Sequence, residues 1–484
     1  MLRNLLVHVS RYSLAGLAGT FAGLISFPIL TRMLSVGDYG LLSLIITTIY
    51  FISAFGKAGL QFSIVRYYAE AVSGKGPWSL DNYYSTIVIG MLGTGTLVTL
   101  LWLFFVFILP ESIWNEPRLR GLFIITAILV LVEVAISMIS GILQARQLSG
   151  WLSIFRVAER YSILMLIVFI LYFVSQSLEG VFFARMTAQI SIISVLAYFV
   201  LRNAPISLQA FSPSMMKDML IYGIPLLGNE LVYTILSLGD RYIIQWQLGS
   251  EPLGEYAAAY NLCEYVKMML VISLFQAIRP MYFKLWAEKG KAETQVFVEK
   301  SLYFYLLICF PVVAGVSLIG PALLTLLTSG KYSEGAVVIP YIIAGLMVYG
   351  AHSMLGAGIM IKKSSVLVWI TLAAAIVNIV LNFILIPYFG IEGAAIATLL
   401  AYLLMTVLEA SYSQKILPVL FPVMASVKFI TLSLIMYFLL KQINVGGILT
   451  TMLVQILAGG ILYTVMILIT DKRSRKIIME RIRY

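Results

Sequence analysis

Residues Tyr222–Tyr256 read YGIPLLGNELVYTILSLGDRYIIQWQLGSEPLGEY. The stretch is apolar enough to cross a bilayer, yet it carries Glu230, Asp240 and Arg241. On a helix, Glu230, Thr234, Ser237, Arg241 and Gln245 fall at i, i+4, i+7, i+11 and i+15 and form one stripe. Charges at membrane depth cost several kcal/mol, so they face a bundle interior or a wet cavity. The stretch also echoes the start of the chain, Tyr12 to Tyr39. Intramembrane charge combined with internal repetition points to a transport protein.

The composition agrees. Of 484 residues, 61% are hydrophobic and 11% charged, with a mean hydropathy of +0.97. Soluble domains carry about 25% charged residues. Apolar runs recur along the whole chain, each long enough for a hydrocarbon core of about 30 Å. About fourteen spans are expected: 12–33, 41–67, 83–108, 119–143, 151–174, 180–201, 219–247, 255–280, 300–327, 335–361, 365–387, 393–413, 422–440 and 446–469. The first follows Arg3, His8 and Arg11, is longer than a signal-peptide core, and reads as an uncleaved span.

The net charge of +11 is a topology signal and not a nucleic-acid footprint. Lys and Arg crowd alternate loops and the tail. Examples are Arg66, Lys75, Arg146, Arg202, Lys217, Lys284, Lys289, Lys291, Lys362, Lys363 and Lys415, then Lys472, Arg473, Arg475, Lys476, Arg481 and Arg483. The intervening loops hold few: Arg32, Arg118, Arg120, Lys331 and Lys441. That asymmetry places both termini in the cytoplasm. The basic tail is read first as a topology anchor and second as a site for anionic lipid. All loops are short, which leaves no room for a soluble catalytic domain, so function belongs to the bundle.

Three anchors tie the first six spans to the next six. Leu34-Ser-Val-Gly-Asp-Tyr39-Gly matches Leu248-Gly-Ser-Glu-Pro-Leu-Gly-Glu-Tyr256-Ala. Gly141-Ile-Leu-Gln-Ala-Arg146 matches Gly358-Ile-Met-Ile-Lys-Lys363, and Leu178-Glu-Gly180-Val-Phe-Phe-Ala184 matches Ile391-Glu-Gly393-Ala-Ala-Ile-Ala397. The offset stays at about 213–217 residues through all three, the mark of a repeat. The expected fold is therefore an all-α integral membrane protein with two pseudo-symmetric six-helix lobes, 1–210 and 211–416. Region 417–484 adds two helices and a basic tail. The substrate site is expected between the repeats. The extra pair is expected to face lipid, with a groove for a lipid tail.

Candidate cavity residues are Lys57, Arg156, Arg160, Arg185, Arg241 and Lys267, with Asn378 and Asn382 at i, i+4 replacing charges in the later repeat. Ser149, Ser153, Arg156 and Arg160 share a face. Several acids neighbour a cation: Asp240 beside Arg241, Glu159 beside Arg160, and Glu264 one turn before Lys267. These three acids are candidates for ion coupling or for charge pairing, and both readings stand. Lys57, Arg156 and Arg185 are read as unpaired, which gives a cavity positive potential suited to phosphate. Arg32, Arg66 and Arg279, near span ends, are read equally as snorkelling cations. Lys428 reads as peripheral, and Glu133 and Glu409 are further lone acids within spans. Cys263 and Cys309 read as small core residues, and His8 and His352 lack metal-ligand spacing. The glycine clusters allow close helix packing, and none follows a strand as a nucleotide-binding loop does. Pro28, Pro225, Pro280, Pro311 and Pro340 are expected to kink some helices. No metal or cofactor is expected.

Several motifs resemble the polysaccharide-transport branch of the multidrug/oligosaccharidyl-lipid/polysaccharide (MOP) exporter superfamily. They are Thr31-Arg-Met-Leu-Ser-Val-Gly-Asp-Tyr-Gly40, Gly59 with Arg66, Gly223-Ile-Pro-Leu, Asp240-Arg241, Gly254-Glu-Tyr-Ala-Ala-Ala-Tyr260 and Ile391-Glu-Gly-Ala-Ala395. The resemblance implies a V-shaped pair of lobes in the cytoplasmic (inner) membrane. It implies export of undecaprenyl-diphosphate-linked oligosaccharide, an O-antigen or exopolysaccharide unit, to the periplasmic leaflet. It also implies coupling to H+ or Na+ and work alongside a polysaccharide polymerase. A lipid II flippase is a substrate variant of this reading. The competing readings are a small-molecule cation antiporter, which calls for an acidic cavity, and a membrane enzyme, which calls for a polar catalytic motif.

Overall fold

In a computed structural model, residues 2–74, 76–110, 116–202, 204–363, 365–471 and 475 are described; for residues 2–15, 17 and 273 only the backbone is. Of the basic tail, Lys472, Arg473, Lys476, Arg481 and Arg483 lie outside the described residues, as does Lys75. The described secondary structure is helical throughout, with no strand among these residues.

Contacts divide the chain into two compact units, 1–254 and 255–484. The first holds α1 (Leu2–Met33), α2 (Val36–Lys57), α3 (Leu60–Ser73), α4 (Leu80–Ile108), α5 (Arg118–Ala145), α6 (Ser149–Phe173), α7 (Leu178–Leu201), α8 (Pro213–Leu238) and α9 (Asp240–Leu248). The boundary falls in the first turn of α10 (Ser250–Lys267). The second holds α11 (Ser273–Thr328), α12 (Ile339–Leu355), α13 (Ala357–Lys362), α14 (Ser365–Ser413), α15 (Val423–Lys441) and α16 (Ile448–Thr470). The packing boundary at Gly254 differs from the repeat boundary at 210, because α8 packs on α2, α3 and α4.

Local chemistry sets the helix starts. Ser35 Oγ accepts the Asp38 N–H at the head of α2, and Ser79 with Asn82 forms a capping box on α4. Ser177 caps α7, and Ser212 caps α8 ahead of Pro213 at its first position.

Among the described residues, ten helical segments are long and apolar enough to cross a membrane. Two of them contain a chain reversal, at Gly290 (φ 77°) and Gly390 (φ 56°), where a left-handed residue without Cβ strain is needed. Asn378 Nδ2 reaches Thr398 Oγ1 at 3.4 Å across the second reversal, which a straight helix twenty residues long could not allow. Val271 and Tyr305 both border Gly350, which makes the same case for the first. With α1 and α6, the described residues hold fourteen helical stretches of crossing length, the number the sequence implies. Both reversals fall at glycines, while Pro280, Pro311 and Pro387 stay inside helices.

In the first unit, α2 ends at Lys57, and Ala58 (φ 51°) and Gly59 (φ 79°) redirect the chain into α3. Gly59 and Gly223 touch backbone to backbone; a Cβ on either would collide with the other's carbonyl. Gly40 and Gly254 meet in the same way, Gly40 against Ser250 O and Gly254 against Val36 O. The motif glycines are thus contact points. In the second unit, α15 and α16 pack on α11. Buried Asp471 receives Lys428 Nζ (2.6 Å) and Tyr303 Oη (2.5 Å), so Lys428 is a structural tie and not peripheral. Cys263 and Cys309 are buried free thiols.

Candidate functional site

Three polar clusters stand out among the described residues of the first unit. The first sits where α2 breaks. Lys57 Nζ donates to Glu230 Oε1 at 2.7 Å, and Gln61 Nε2 donates to Glu230 Oε2 at 2.8 Å. The side chains are 15% and 30% exposed, so the pair is shielded but wet. Lys57 also lies at a helix C-terminus, where a cation is favoured.

The second group joins α5, α6 and α7. Arg185 Nη2 donates to Glu133 Oε1 at 3.1 Å and to Tyr50 Oη at 3.3 Å. Gln189, one turn further along α7, donates from Nε2 to Glu133 Oε1 at 3.1 Å and to Glu159 Oε1 at 2.9 Å. Two corrections follow. Lys57 and Arg185, expected to be unpaired, each hold a carboxylate. Glu159, a candidate for ion coupling or for pairing with Arg160, accepts from Gln189. Sequence separation explains both: the partners lie 173, 52 and 30 residues away.

The third group is Arg241 with Asp240. Arg241 Nη1 meets Asp240 Oδ1 at 3.2 Å and Nε donates to Ser43 Oγ on α2 at 3.0 Å. Both are buried, Arg241 at 3% and Asp240 at 1% exposure. Arg241 therefore ties α9 to α2 and does not line an open cavity. The expected span 219–247 runs from α8 into α9 through Gly239, whose backbone stays helical (φ −66°, ψ −26°), and Gln245 at the end of the stripe donates to Ser250 Oγ.

Arg156 and Arg160 stand apart. Both are exposed on α6, and no carboxylate partner is found for either among the described residues. A Cβ on Gly19 of α1 would meet Arg160 Cγ, so the arginine face of α6 borders α1. The opposite face of α6, with Trp151, Ile154, Ala158 and Met165, forms an apolar groove with α7.

The second unit carries a mixed cluster. Lys267 Nζ donates to Glu264 Oε1 at 2.6 Å, as their spacing implies, and lies 5.6 Å from the Tyr349 ring centre. A π-helical turn, Met268–Ile272, follows at once. Tyr349 stacks on His352, whose Nδ1 is 3.0 Å from Glu409 Oε2. Arg279 Nε reaches Ser353 Oγ at 3.4 Å. Asn378 and Asn382, expected to line a cavity, are buried at 1% and 0% exposure within α14. Asn382 Nδ2 donates to Asn378 O and Oδ1 one turn back, and Asn378 Nδ2 reaches Thr398 Oγ1 across the hairpin at Gly390. Sequence reading missed the His352–Glu409 pair and the Glu133–Gln189–Glu159 bridge. The i, i+4 spacing of Arg185 and Gln189 was the available signal for the latter.

An all-α, multi-pass bundle with charged groups held inside its helices defines a membrane transport protein. The solved lipid II flippase MurJ, in its inward closed conformation, has this fold. It matches with a TM-score of 0.79 at 16% identity, over 96% of this chain and 99% of that one. An inward-facing multidrug resistance MATE family transporter of the MOP superfamily matches with a TM-score of 0.63 at 14% identity, over 83% and 97%. The polysaccharide biosynthesis protein family matches residues 5–286, more than half of the chain, and the chain belongs to that family, within the polysaccharide branch of the MOP exporters. An uncharacterized membrane protein of Methanocaldococcus jannaschii is 23% identical over 399 residues, 78% of each chain. A probable low-salt glycan biosynthesis flippase of Haloferax volcanii is 21% identical over 204 residues, 40% of this chain and 43% of that one.

Proposed function

We propose that this protein is a flippase for polyprenyl-diphosphate-linked oligosaccharide, moving the head group from the cytoplasmic to the outer leaflet by alternating access and carrying no catalytic step. The family resemblance implies the undecaprenyl form and coupling to H+ or Na+, and the Lys/Arg asymmetry of the loops implies both termini in the cytoplasm. The observation that carries the reading is the exposed pair Arg156 and Arg160 on α6, with no carboxylate partner among the described residues. A guanidinium at membrane depth is costly without an anion, and two on adjacent turns match the oxygens of a diphosphate. Lys57, Arg185 and Arg241 would set the surrounding potential, with each already tied to an acid. The polyprenyl tail would stay in lipid. Family membership and the glycan-flippase description of the Haloferax relative support the same reading.

A vesicle assay tests it. Reconstituted protein is given a fluorescent short-chain prenyl-diphosphate oligosaccharide, and protection from an external quencher is followed. Wild type is expected to transfer the probe. Arg156→Ala/Arg160→Ala is expected to lose at least about tenfold in rate, since each charge-assisted bond is worth about 1.5–3 kcal/mol. Equal rates from folded wild type and double variant would remove the phosphate-clamp reading.

A further inference from the structure

Two apolar hollows lie end to end along the seam between α6 and α7. One, of about 540 Å³, is lined by Trp151, Ile154, Ala158 and Met165 of α6 with Val195 and Phe199 of α7. The other, of about 560 Å³, is lined by Phe169, Val174, Glu179 and Phe183, and Leu166 borders both. On each helix the lining residues recur at steps of three and four, so both hollows open on one face of the hairpin. Trp151, Ile154, Met165, Val195 and Phe199 are each more than half exposed. From Trp151 to Met165 the helix rises about 21 Å, enough to cover one leaflet of a hydrocarbon core about 30 Å thick.

The two ends of the seam differ in charge. At the end near Trp151, Arg202 Cζ lies 5.7 Å from the centre of the Phe199 ring. Arg146 Nη1 donates to Val200 O at 3.2 Å, and Arg146 Cζ lies 5.6 Å from the centre of the Tyr84 ring. Both guanidiniums thus gather at the last turn of α7, beside the mouth of the first hollow. Neither makes an ion pair among the described residues, and residues 134–158 and 180–217 contain no Asp or Glu. The second hollow has the opposite character, with Glu179 in its lining and no Lys or Arg.

We infer that the first hollow is a binding site for an anionic phospholipid, with an acyl chain seated along Trp151–Met165 and the phosphate against Arg146 and Arg202. Guanidinium groups make charge-assisted, often bidentate, bonds to phosphate oxygens. A zwitterionic headgroup carries its own cation and gains less from the pair. The loop charges assign this end to the cytoplasmic side, where anionic lipids give the leaflet its negative potential. A polyprenyl tail would use the whole seam, and a second copy of this chain would cover the apolar face without calling on the arginines. Cations at one end only, beside a hollow of one leaflet's depth, match the phospholipid. The bound lipid would also grip one end of the helix whose other face carries Arg156 and Arg160. The site does not rest on the flippase reading.

The test uses the full chain in phosphatidylcholine vesicles and the fluorescence of Trp151, taken as wild type minus Trp151→Phe. Phosphatidylglycerol or phosphatidylcholine with the same brominated chains is added as quencher. Phosphatidylglycerol is expected to reach half-maximal quenching at a mole fraction at least about fivefold lower, the value of one basic residue beside an anionic leaflet. Arg146→Gln/Arg202→Gln is expected to bring the two lipids level, and Ala158→Phe, which fills the hollow, to weaken quenching by both. If the double variant fails to fold, Arg202→Gln carries the test with a partial loss of preference. Equal quenching by the two lipids in wild type overturns the inference, and so does a preference that survives the arginine substitutions. Stronger displacement of the quencher by polyprenyl phosphate than by unlabelled phosphatidylglycerol would assign the hollow to a prenyl tail, and cross-linking of two Trp151→Cys copies would assign it to self-association; either overturns the inference. Failure of wild type to transfer a prenyl-diphosphate probe refutes the flippase reading and leaves the lipid site standing.

Discussion

Removing Glu230 is the sharpest perturbation of the first unit's interior. Glu230→Ala leaves Lys57 Nζ and Gln61 Nε2, now at 2.7 and 2.8 Å from its oxygens, without an acceptor. Breaking a fully buried pair costs about 3–5 kcal/mol, and an exposed pair is worth about 0–1. At 15% and 30% exposure the Lys57–Glu230 pair lies between these limits, so the loss is expected at about 1–3 kcal/mol. Lys57→Met removes the other partner and leaves a carboxylate partly solvated and still bonded to Gln61, a smaller cost of about 1–2 kcal/mol. Lys57→Met/Glu230→Ala removes both charges and is expected to lose less than the sum of the two single variants, with a coupling energy of at least about 1 kcal/mol. The assay is thermal unfolding of the four purified proteins in one detergent. Additive losses in the double variant would refute the pairing and return Lys57 to the pool of free cations.

Other outcomes follow from the same contacts. Gly223→Ala drives a methyl into the Gly59 carbonyl and is expected to cost about 1–3 kcal/mol. Gly59→Ala should cost more, because the residue sits at φ 79°, and yield of monodisperse protein should fall in that order. Asp471→Asn weakens the acceptor shared by Lys428 and Tyr303, so α15 and α16 should exchange amide hydrogen faster while α12 and α14 are unchanged. In vesicle transport, Lys57→Met should slow probe transfer far less than Arg156→Ala/Arg160→Ala, because Glu230 already cancels the Lys57 charge.

The fold was legible because its signal is local in the chain. A run of about twenty apolar residues identifies a crossing wherever it occurs, and a serine three residues before a capped N–H marks where a helix begins. The motif glycines were visible too, though their purpose, the backbone contacts Gly59–Gly223 and Gly40–Gly254, needs three-dimensional neighbours. Pairing within one turn was equally readable, as Glu264 and Lys267 show. Pairing between helices was not. Lys57 looked free because Glu230 lies 173 residues away, and Arg185 because Glu133 is on another helix. Helix faces specify direction but not the opposing residue, so Asn378 and Asn382 pointed into a hairpin and not a cavity. His352 was discarded for lack of metal spacing, yet it pairs with Glu409 across two helices.

The central claim concerns lipid-linked glycan, and the most direct measurement is the pool of polyprenyl-diphosphate oligosaccharide, resolved by leaflet, in a strain lacking this protein and any redundant flippase. The account predicts accumulation on the cytoplasmic leaflet together with loss of the surface glycan, both restored by wild type and not by Arg156→Ala/Arg160→Ala. A normal leaflet distribution with intact surface glycan would contradict it.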